Sequence, residues 1–413
     1  MTAIPETMCA MVLTGHGGTE RLEWREDWPV PRPGPGEVLV RITACAKNNT
    51  DRKVREGRYS TADDGAVTSF AMAGNTLSFP RIQGADVVGH VVAVGQGVPT
   101  DRIGERGLLD FNIYPDARDD LNLAPDYFGH GADGGFAEYG CFPSEQFHAI
   151  ANPALGDAEL ATLGMCSWQT GYRMLTSAGV GAGEHVLVTG ASGGVGTALL
   201  QLCRVIGAIP HAVASAGKAE ALHALGAETV IDRNAVGDWP SAIDRATGGA
   251  TIDAVMDLVG GEMTVPLIQA MCRDMRRRTT PPRLSIAGAS AGNVTALPWT
   301  LIYLNQVRIF GVSHGTRAEA RQLIGWIGEN RLKPVLAGIM PLSRLREAER
   351  CSSSVVAISS ASWSSCRIGS SPNRAWKRWP DSWRVAQARS QSGAWRISST
   401  PASGAMRWNS AAS

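Results

Sequence analysis

No two of the eight cysteines have C-x-x-C spacing. The chain therefore lacks the thiolate pairs of a four-cysteine zinc lobe, and the scatter offers no disulfide framework. Excess charge is missing too, since 39 Lys and Arg face 38 Asp and Glu for a formal net charge of +1. Such a balance argues against a surface built for nucleic acid or for an anionic membrane. No apolar run approaches the roughly 20 residues that span a bilayer. The opening MTAIPETMCAMVL has no basic segment ahead of an apolar core and does not read as an export signal. These absences leave the expectation of a soluble, cytoplasmic chain with neither nucleic acid nor membrane as partner. Its 413 residues suffice for two domains of ordinary size.

What is present is most informative from His185 to Gly207, HVLVTGASGGVGTALLQLCRVIG. The short apolar run Val186-Leu187-Val188 suits a fully buried strand. Glycines crowd the turn that follows, and Ala198, Leu199, Leu202, Val205 and Ile206 then recur at helical steps. A strand, a glycine turn and a helix form a phosphate cradle, because unpaired N–H groups and the helix dipole favour an anion there. Gly190, Ala191, Ser192, Gly193, Gly194, Val195 and Gly196 are its candidate residues. Ala191 stands where the usual G-x-G-x-x-G spacing begins.

Further strands are expected at 211–214, 229–231, 252–258, 284–287 and 307–312, with helices at 217–225 and 317–330. That alternation builds a doubly wound parallel sheet with its ligand at the carboxyl edge. The part before it is β-rich, with strands expected at 8–14, 37–44, 85–94 and 135–142. A polar loop at 57–79 and a helical pattern from Gly156 to Ser177 complete it. We divide the chain into 1–155, β-rich; 156–315, nucleotide-binding; 316–350, a helix and segment returning to the first part; and 351–413.

The last segment differs in kind. From Cys351 to Ser413 there are 18 serines and six tryptophans but no Leu, Phe, Tyr, His or Glu, and eight Lys and Arg face only Asp381. Neither helical nor strand periodicity survives there. We read this tail as the product of a shifted reading frame, disordered and leaving the β-rich part without its last strand.

Several stretches together resemble the medium-chain dehydrogenase/reductase superfamily, in its quinone-oxidoreductase-like branch. They are PGPGEVLV (33–40), NNTDRKVREGRYS (48–60), FPRIQGADVVGHVVAVG (79–95), DGGFAEY (133–139), VLVTGASGGVG (186–196) and LGAETVIDR (225–233). The resemblance covers about residues 8 to 350. It implies an α/β fold, a Rossmann doubly wound parallel sheet plus a GroES-like β-rich catalytic domain, with the active site between them. It further implies a homodimer.

Zinc-dependent members of the superfamily carry a cysteine where this chain has Asn48 and a histidine where it has Ala85; Cys166 matches their third ligand. Asp86 stands where they have a glutamate. Cys166 and Asp86 are too few for a catalytic zinc, which takes three protein ligands, so no metal is expected. Hydride transfer then depends on positioning and hydrogen bonds. By resemblance Asn48 lines the nicotinamide and substrate cleft, Thr170 in CSWQTGY stands beside the cofactor, and Tyr59 is a candidate proton donor. The plain alternatives are a turn-capping asparagine, a helix hydroxyl and a packing tyrosine.

Cofactor choice rests on the end of the second strand, where an NAD enzyme places a carboxylate for the ribose 2′-hydroxyl. Here HAVASAGKAE (211–220) has none before Glu220. Ser215 donates, Lys218 is cationic, and Arg233 adds a second positive charge after the third strand. The expectation is NADP(H), with NAD(H) as the alternative. The chain thus reads as an NADPH-dependent, zinc-independent reductase of quinones or other α,β-unsaturated carbonyls. An alcohol or aldehyde dehydrogenase of the same fold, or a nucleotide-binding protein without turnover, are the other readings.

Overall fold

A computed structural model describes residues 3–58, 77–114, 126–350 and 357–359. Tyr59, most of the 57–79 loop and nearly all of the 351–413 tail lie outside the described residues.

The first part is built from strands β1 (Thr7–Leu13), β2 (Leu22–Pro29) and β3 (Glu37–Ala46), helix α1 (Asn49–Arg55), and strands β4 (Arg81–Ile82) and β5 (Asp86–Val94). Short strands follow: β6 (Arg106–Leu109), β7 (Asn112–Ile113), β8 (Asp126–Tyr127), β9 (Tyr139–Pro143) and β10 (Phe147–Ala149). The apolar positions Val38, Val40, Ile42 and Ala44 of β3 alternate and are buried, so one face of the strand enters the core. β3 pairs antiparallel with β5 and β9, and β5 with β6. The result is a β-rich layer with α1 at the end of β3.

Next come α2 (Asp157–Ala161), α3 (Met165–Ser177), β11 (His185–Val188), α4 (Gly194–Val205), β12 (Ile209–Ala214), α5 (Ala219–Ala224) and β13 (Thr229–Asp232). They are followed by α6 (Trp239–Thr247), β14 (Ala254–Asp257), α7 (Thr264–Met271), β15 (Arg283–Ile286), α8 (Trp299–Leu304), β16 (Arg308–Gly311) and α9 (Arg317–Gly328). The six strands run parallel in the order β13-β12-β11-β14-β15-β16. That order reverses between β11 and β14, the switch point at which such sheets take their ligand. Successive side chains point to opposite faces. Val186, Val188, Ala254 and Met256 join the larger core, whereas Leu187, Val255 and Leu284 pack with Ile243, Leu267, Ile268 and Met271 beneath the other face. Each buried Val or Leu contributes about 2 kcal/mol. The expected α/β architecture holds. Among the described residues no helix is long and apolar enough to cross a membrane.

One expectation is refined and one needs correction. The helical pattern from Gly156 to Ser177 is divided between two helices, α2 and α3, because the chain at Gly164 passes against Asp86. A Cβ on Gly164 would lie 2.1 Å from the Asp86 carboxyl carbon. The tail was expected to supply no strand, yet Ala357–Ser359 forms β18. After β17 (Ile339–Met340) and α10 (Leu345–Arg350), β18 pairs antiparallel with β3 and parallel with β17. Every non-proline residue carries a backbone donor and acceptor, so even this short Ala-Ile-Ser segment can pair. Just before it, Glu349 is buried with Arg55 at 2.9 Å and Lys47 at 3.6 Å.

At the amino ends of the parallel strands, His185 Nδ1 lies 2.9 Å from His211 Nε2, and His211 Nδ1 2.8 Å from Thr229 Oγ1. Burial first, and then His185, push His211 down to about 4. The unfolded chain takes a proton near pH 6.5, so the stability that neutral His211 contributes is present above that pH and lost as pH falls towards 4. Between neutral pH and pH 4.5, wild type is therefore expected to lose on the order of 2 kcal/mol more than His211→Gln in urea unfolding. Parallel pH curves for the two proteins would refute this.

Candidate active site

The β-rich part and the parallel sheet meet at the start of α3. Asn48 ends the stretch after β3 and caps α1, and its backbone N–H donates to Asp51 Oδ2 at 2.7 Å. Its side-chain Nδ2 donates to Asp86 Oδ2 at 2.7 Å, and its Oδ1 accepts from Ser167 Oγ at 3.3 Å. Asp86, the first residue of β5, also accepts the Cys166 N–H at 2.9 Å, in the first turn of α3. Burial pushes Asp86 up to about 6, while the Cys166 N–H and the Asn48 amide hold it down. Burial also raises Asp51 to about 7. Thr170 lies one turn further along α3, and its hydroxyl donates to the Cys166 carbonyl at 2.8 Å and reaches Ser313 O at 3.4 Å. One hydrogen-bonded network thus joins Asn48 and Thr170. Tyr59 cannot be placed in it, being outside the described residues.

The cradle has the expected form. Gly190 is left-handed (φ 58°), and its carbonyl accepts the Gly193 N–H at 3.0 Å. Helix α4 then begins at Gly194, so its first N–H groups and the positive end of its dipole face the turn. Gly196 packs on backbone: a Cβ there would lie 2.4 Å from Gly190 O and 2.6 Å from Ala191 Cα. Lys218 Nζ donates to Ser192 Oγ at 3.0 Å, joining the turn after β12 to the glycine turn. Ser215 supplies the carbonyl that accepts the Lys218 N–H at 3.0 Å. Burial lowers the Lys218 pKa, and the nearby Arg233 charge lowers it further. Gly190 to Gly196, Ser215, Lys218 and Arg233 are therefore gathered at one edge.

Three contributions were not foreseen. Asp257, at the end of β14, accepts from Thr189 Oγ1 at 2.7 Å, Val259 N at 3.0 Å, Gly260 N at 3.1 Å and Thr264 Oγ1 at 3.2 Å. It fixes the loop across the switch point. Ser167 was passed over inside the CSWQTGY segment. Asp232 corrects the view that no carboxylate stands near the end of the second strand. The adjacent strand β13 brings it there, where it accepts the Ala216 N–H at 3.3 Å and the Asn234 N–H at 3.1 Å. Its signal was the Asp-Arg pair closing LGAETVIDR, in which only the arginine was weighed.

The donors at the zinc-ligand positions do not fit a catalytic zinc. Asn48 commits its amide nitrogen to Asp86, and Ala85 has no donor atom. Cys166 is then the one matching position with a donor typical of such a site, too few for the three protein ligands that a catalytic zinc takes. Among the described residues no three His, Cys, Asp or Glu side chains converge as metal ligands.

The backbone approach at Gly196 makes a sharp prediction. Gly196→Ala is expected to lose about 1–3 kcal/mol of stability and to abolish dinucleotide binding. Thermal unfolding and a binding titration check both, and unchanged values would show that the turn has room for a methyl group.

Comparison with known proteins agrees with this geometry. Residues 34–152 match the alcohol dehydrogenase GroES-like domain, and residues 194–329 match the zinc-binding dehydrogenase domain. A 2-methylene-furan-3-one reductase of Solanum lycopersicum is 31% identical over 272 residues, 65% of this chain and 61% of that protein. Human quinone oxidoreductase is 27% identical, with 83% of this chain and 92% of that protein covered. A provisionally named alcohol dehydrogenase from Sinorhizobium meliloti 1021 has a crystal structure that superposes with a TM-score of 0.80. It is 47% identical, and the match covers 87% of this chain and 98% of that one. Both halves and their order agree, and the chain belongs to the medium-chain dehydrogenase/reductase superfamily of oxidoreductases.

Proposed function

We propose that this oxidoreductase is an NADPH-dependent reductase of quinones or other α,β-unsaturated carbonyls that works without zinc. The observation that carries the reading is the cleft floor. At two positions where zinc-dependent relatives place ligands, the Asn48 amide and the Cys166 N–H both donate to the neighbouring Asp86. The names of the tomato enone reductase and the human quinone oxidoreductase support the substrate class.

A reduced nicotinamide, when bound, supplies the hydride. The chain's own part is to bind and orient. The glycine turn and the first N–H groups of α4 take the pyrophosphate. Lys218, already held at Ser192, and Arg233 neutralise a ribose 2′-phosphate. Asp232 opposes that charge, which leaves NAD(H) as the alternative cofactor. Asn48 and Thr170 border the nicotinamide, and Tyr59 or solvent delivers the proton to the reduced carbonyl.

An alcohol or aldehyde oxidoreductase of the same fold is the second reading, favoured by the 47% identity to the Sinorhizobium protein. We further propose a homodimer. Among the described residues β16 is one of the two terminal strands of the parallel sheet, and Trp299, Tyr303 and Leu304 on α8 just before it and Ile309 on it are exposed. A two-fold pairing of such edges covers both the unpaired backbone groups and the apolar side chains. The six described cysteines are free, which supports a reducing, cytoplasmic setting.

Oxidation of NADPH measured in parallel with a quinone, an enal and an aldehyde tests the leading reading. Turnover with the quinone or enal, insensitive to chelator, is expected. Loss of activity on chelation would restore zinc, and tight NADPH binding without turnover would leave a nucleotide-binding protein. Lys218→Ala is expected to raise the KM for NADPH about tenfold and leave that for NADH unchanged. Tyr59→Phe should lower kcat about a hundredfold, and an unchanged kcat would assign the proton to solvent. Trp299→Glu is expected to halve the mass measured by light scattering.

A further inference from the structure

Asn48 presents either an N–H2 donor or a carbonyl acceptor to whatever lies beside it, and its partners decide which. An ionised carboxylate only accepts hydrogen bonds. Asp86 accepts the Cys166 N–H with Oδ1, so its Oδ2 must be met by the Asn48 nitrogen, at 2.7 Å. The Asn48 oxygen then faces Ser167, whose hydroxyl donates to it at 3.3 Å, and an amide oxygen has capacity for a second donor. Gly164 brings Asp86 and α3 this close.

We propose that Asp86 is a positioning residue that locks the Asn48 amide and makes position 48 a hydrogen-bond acceptor. The matching ligand group is a donor, a carboxamide N–H2 or a ribose hydroxyl of the cofactor. Naming that ligand rests on the hydride-transfer reading; the locking itself does not.

A proton on Asp86 reverses the lock. The carboxylic acid then donates, the nearby Asn48 carbonyl is its acceptor, and the amide turns over. The other titratable groups that face Asp86 are the Cys45 thiol on β3, Asp51 on α1 and the Cys166 thiol on α3. Lys47 and Glu349 face Asp51 in turn. Asp86→Asn gives the turned state permanently. The Cys166 N–H claims the oxygen of the new amide, its nitrogen points at residue 48, and Asn48 must answer with its carbonyl. The double variant Asn48→Asp/Asp86→Asn exchanges the partners, so residue 48 again only accepts.

The test uses the full-length protein. In apoprotein with isotope-labelled asparagine, the Asn48 side-chain amide resonance, identified by its loss in Asn48→Asp, is expected to shift with a midpoint near pH 6. Asp86→Asn is expected to remove that midpoint. At neutral pH the variant should bind NADPH about tenfold or more weakly, the loss of one hydrogen bond with a donor left facing a donor. The double variant should recover to within about threefold of wild type. A purely structural Asp86 predicts no such recovery. Unchanged affinity in folded Asp86→Asn, equal loss in both variants, or an Asn48 resonance indifferent to pH overturns the proposal. If Asp86→Asn does not fold, the wild-type titration decides alone. A wild-type protein that binds no NADPH would instead sink the hydride-transfer reading, with the apoprotein resonance still testing Asp86.

Discussion

The Asp86 carboxylate accepts one N–H from the end of the β3–α1 connection and one from the first turn of α3. Much of the cleft depends on that double acceptance. A carboxylate this buried needs charge-compensating donors, and the positive end of α3 is one. The need dictates a glycine at 164, breaks the preceding helix, and sets the position of Asn48. Thr170 follows from the same helix placement. Hydrogen bonds between side chains and a helix terminus hold this region together.

The nucleotide edge is organised on a different principle. Its geometry comes from backbone, with Gly196 against Gly190 and Ala191 and the Asp257 carboxylate gathering the loop after β14. Side chains also meet at the turn after β12, where Lys218 donates to Ser192 and Asp232 accepts the Ala216 N–H. A rigid backbone cradle with variable charges at its rim binds any dinucleotide and leaves the choice of phosphate to a few residues.

The parallel sheet was legible because its strands are short apolar runs buried on both faces, separated by helical periods. The cradle was legible from its glycines. Less visible was β2, LEWREDWP, whose largely exposed, charged side chains carry no apolar alternation and which exists through pairing with β1. The site was half legible. Asn48, Thr170 and Lys218 could be named from motifs, but neither the orientation of the Asn48 amide nor the approach of Asp232 is a local property. Asp86 and Asn48 are 38 residues apart, and their contact exists only because two strands and a helix terminus converge. The three-residue strand β18 was missed for a related reason. Pairing with an existing edge is a property of the edge, not of the segment that joins it.

Buried charges flank α1 on both sides, Lys47 before it and Arg55 at its end. Glu349 is the anion that Arg55 and Lys47 share, and removing one partner of such a group typically costs about 3–5 kcal/mol. It stands two residues before the composition changes character. Loss of Glu349 would leave buried Arg55 and Lys47 without the carboxylate that they share.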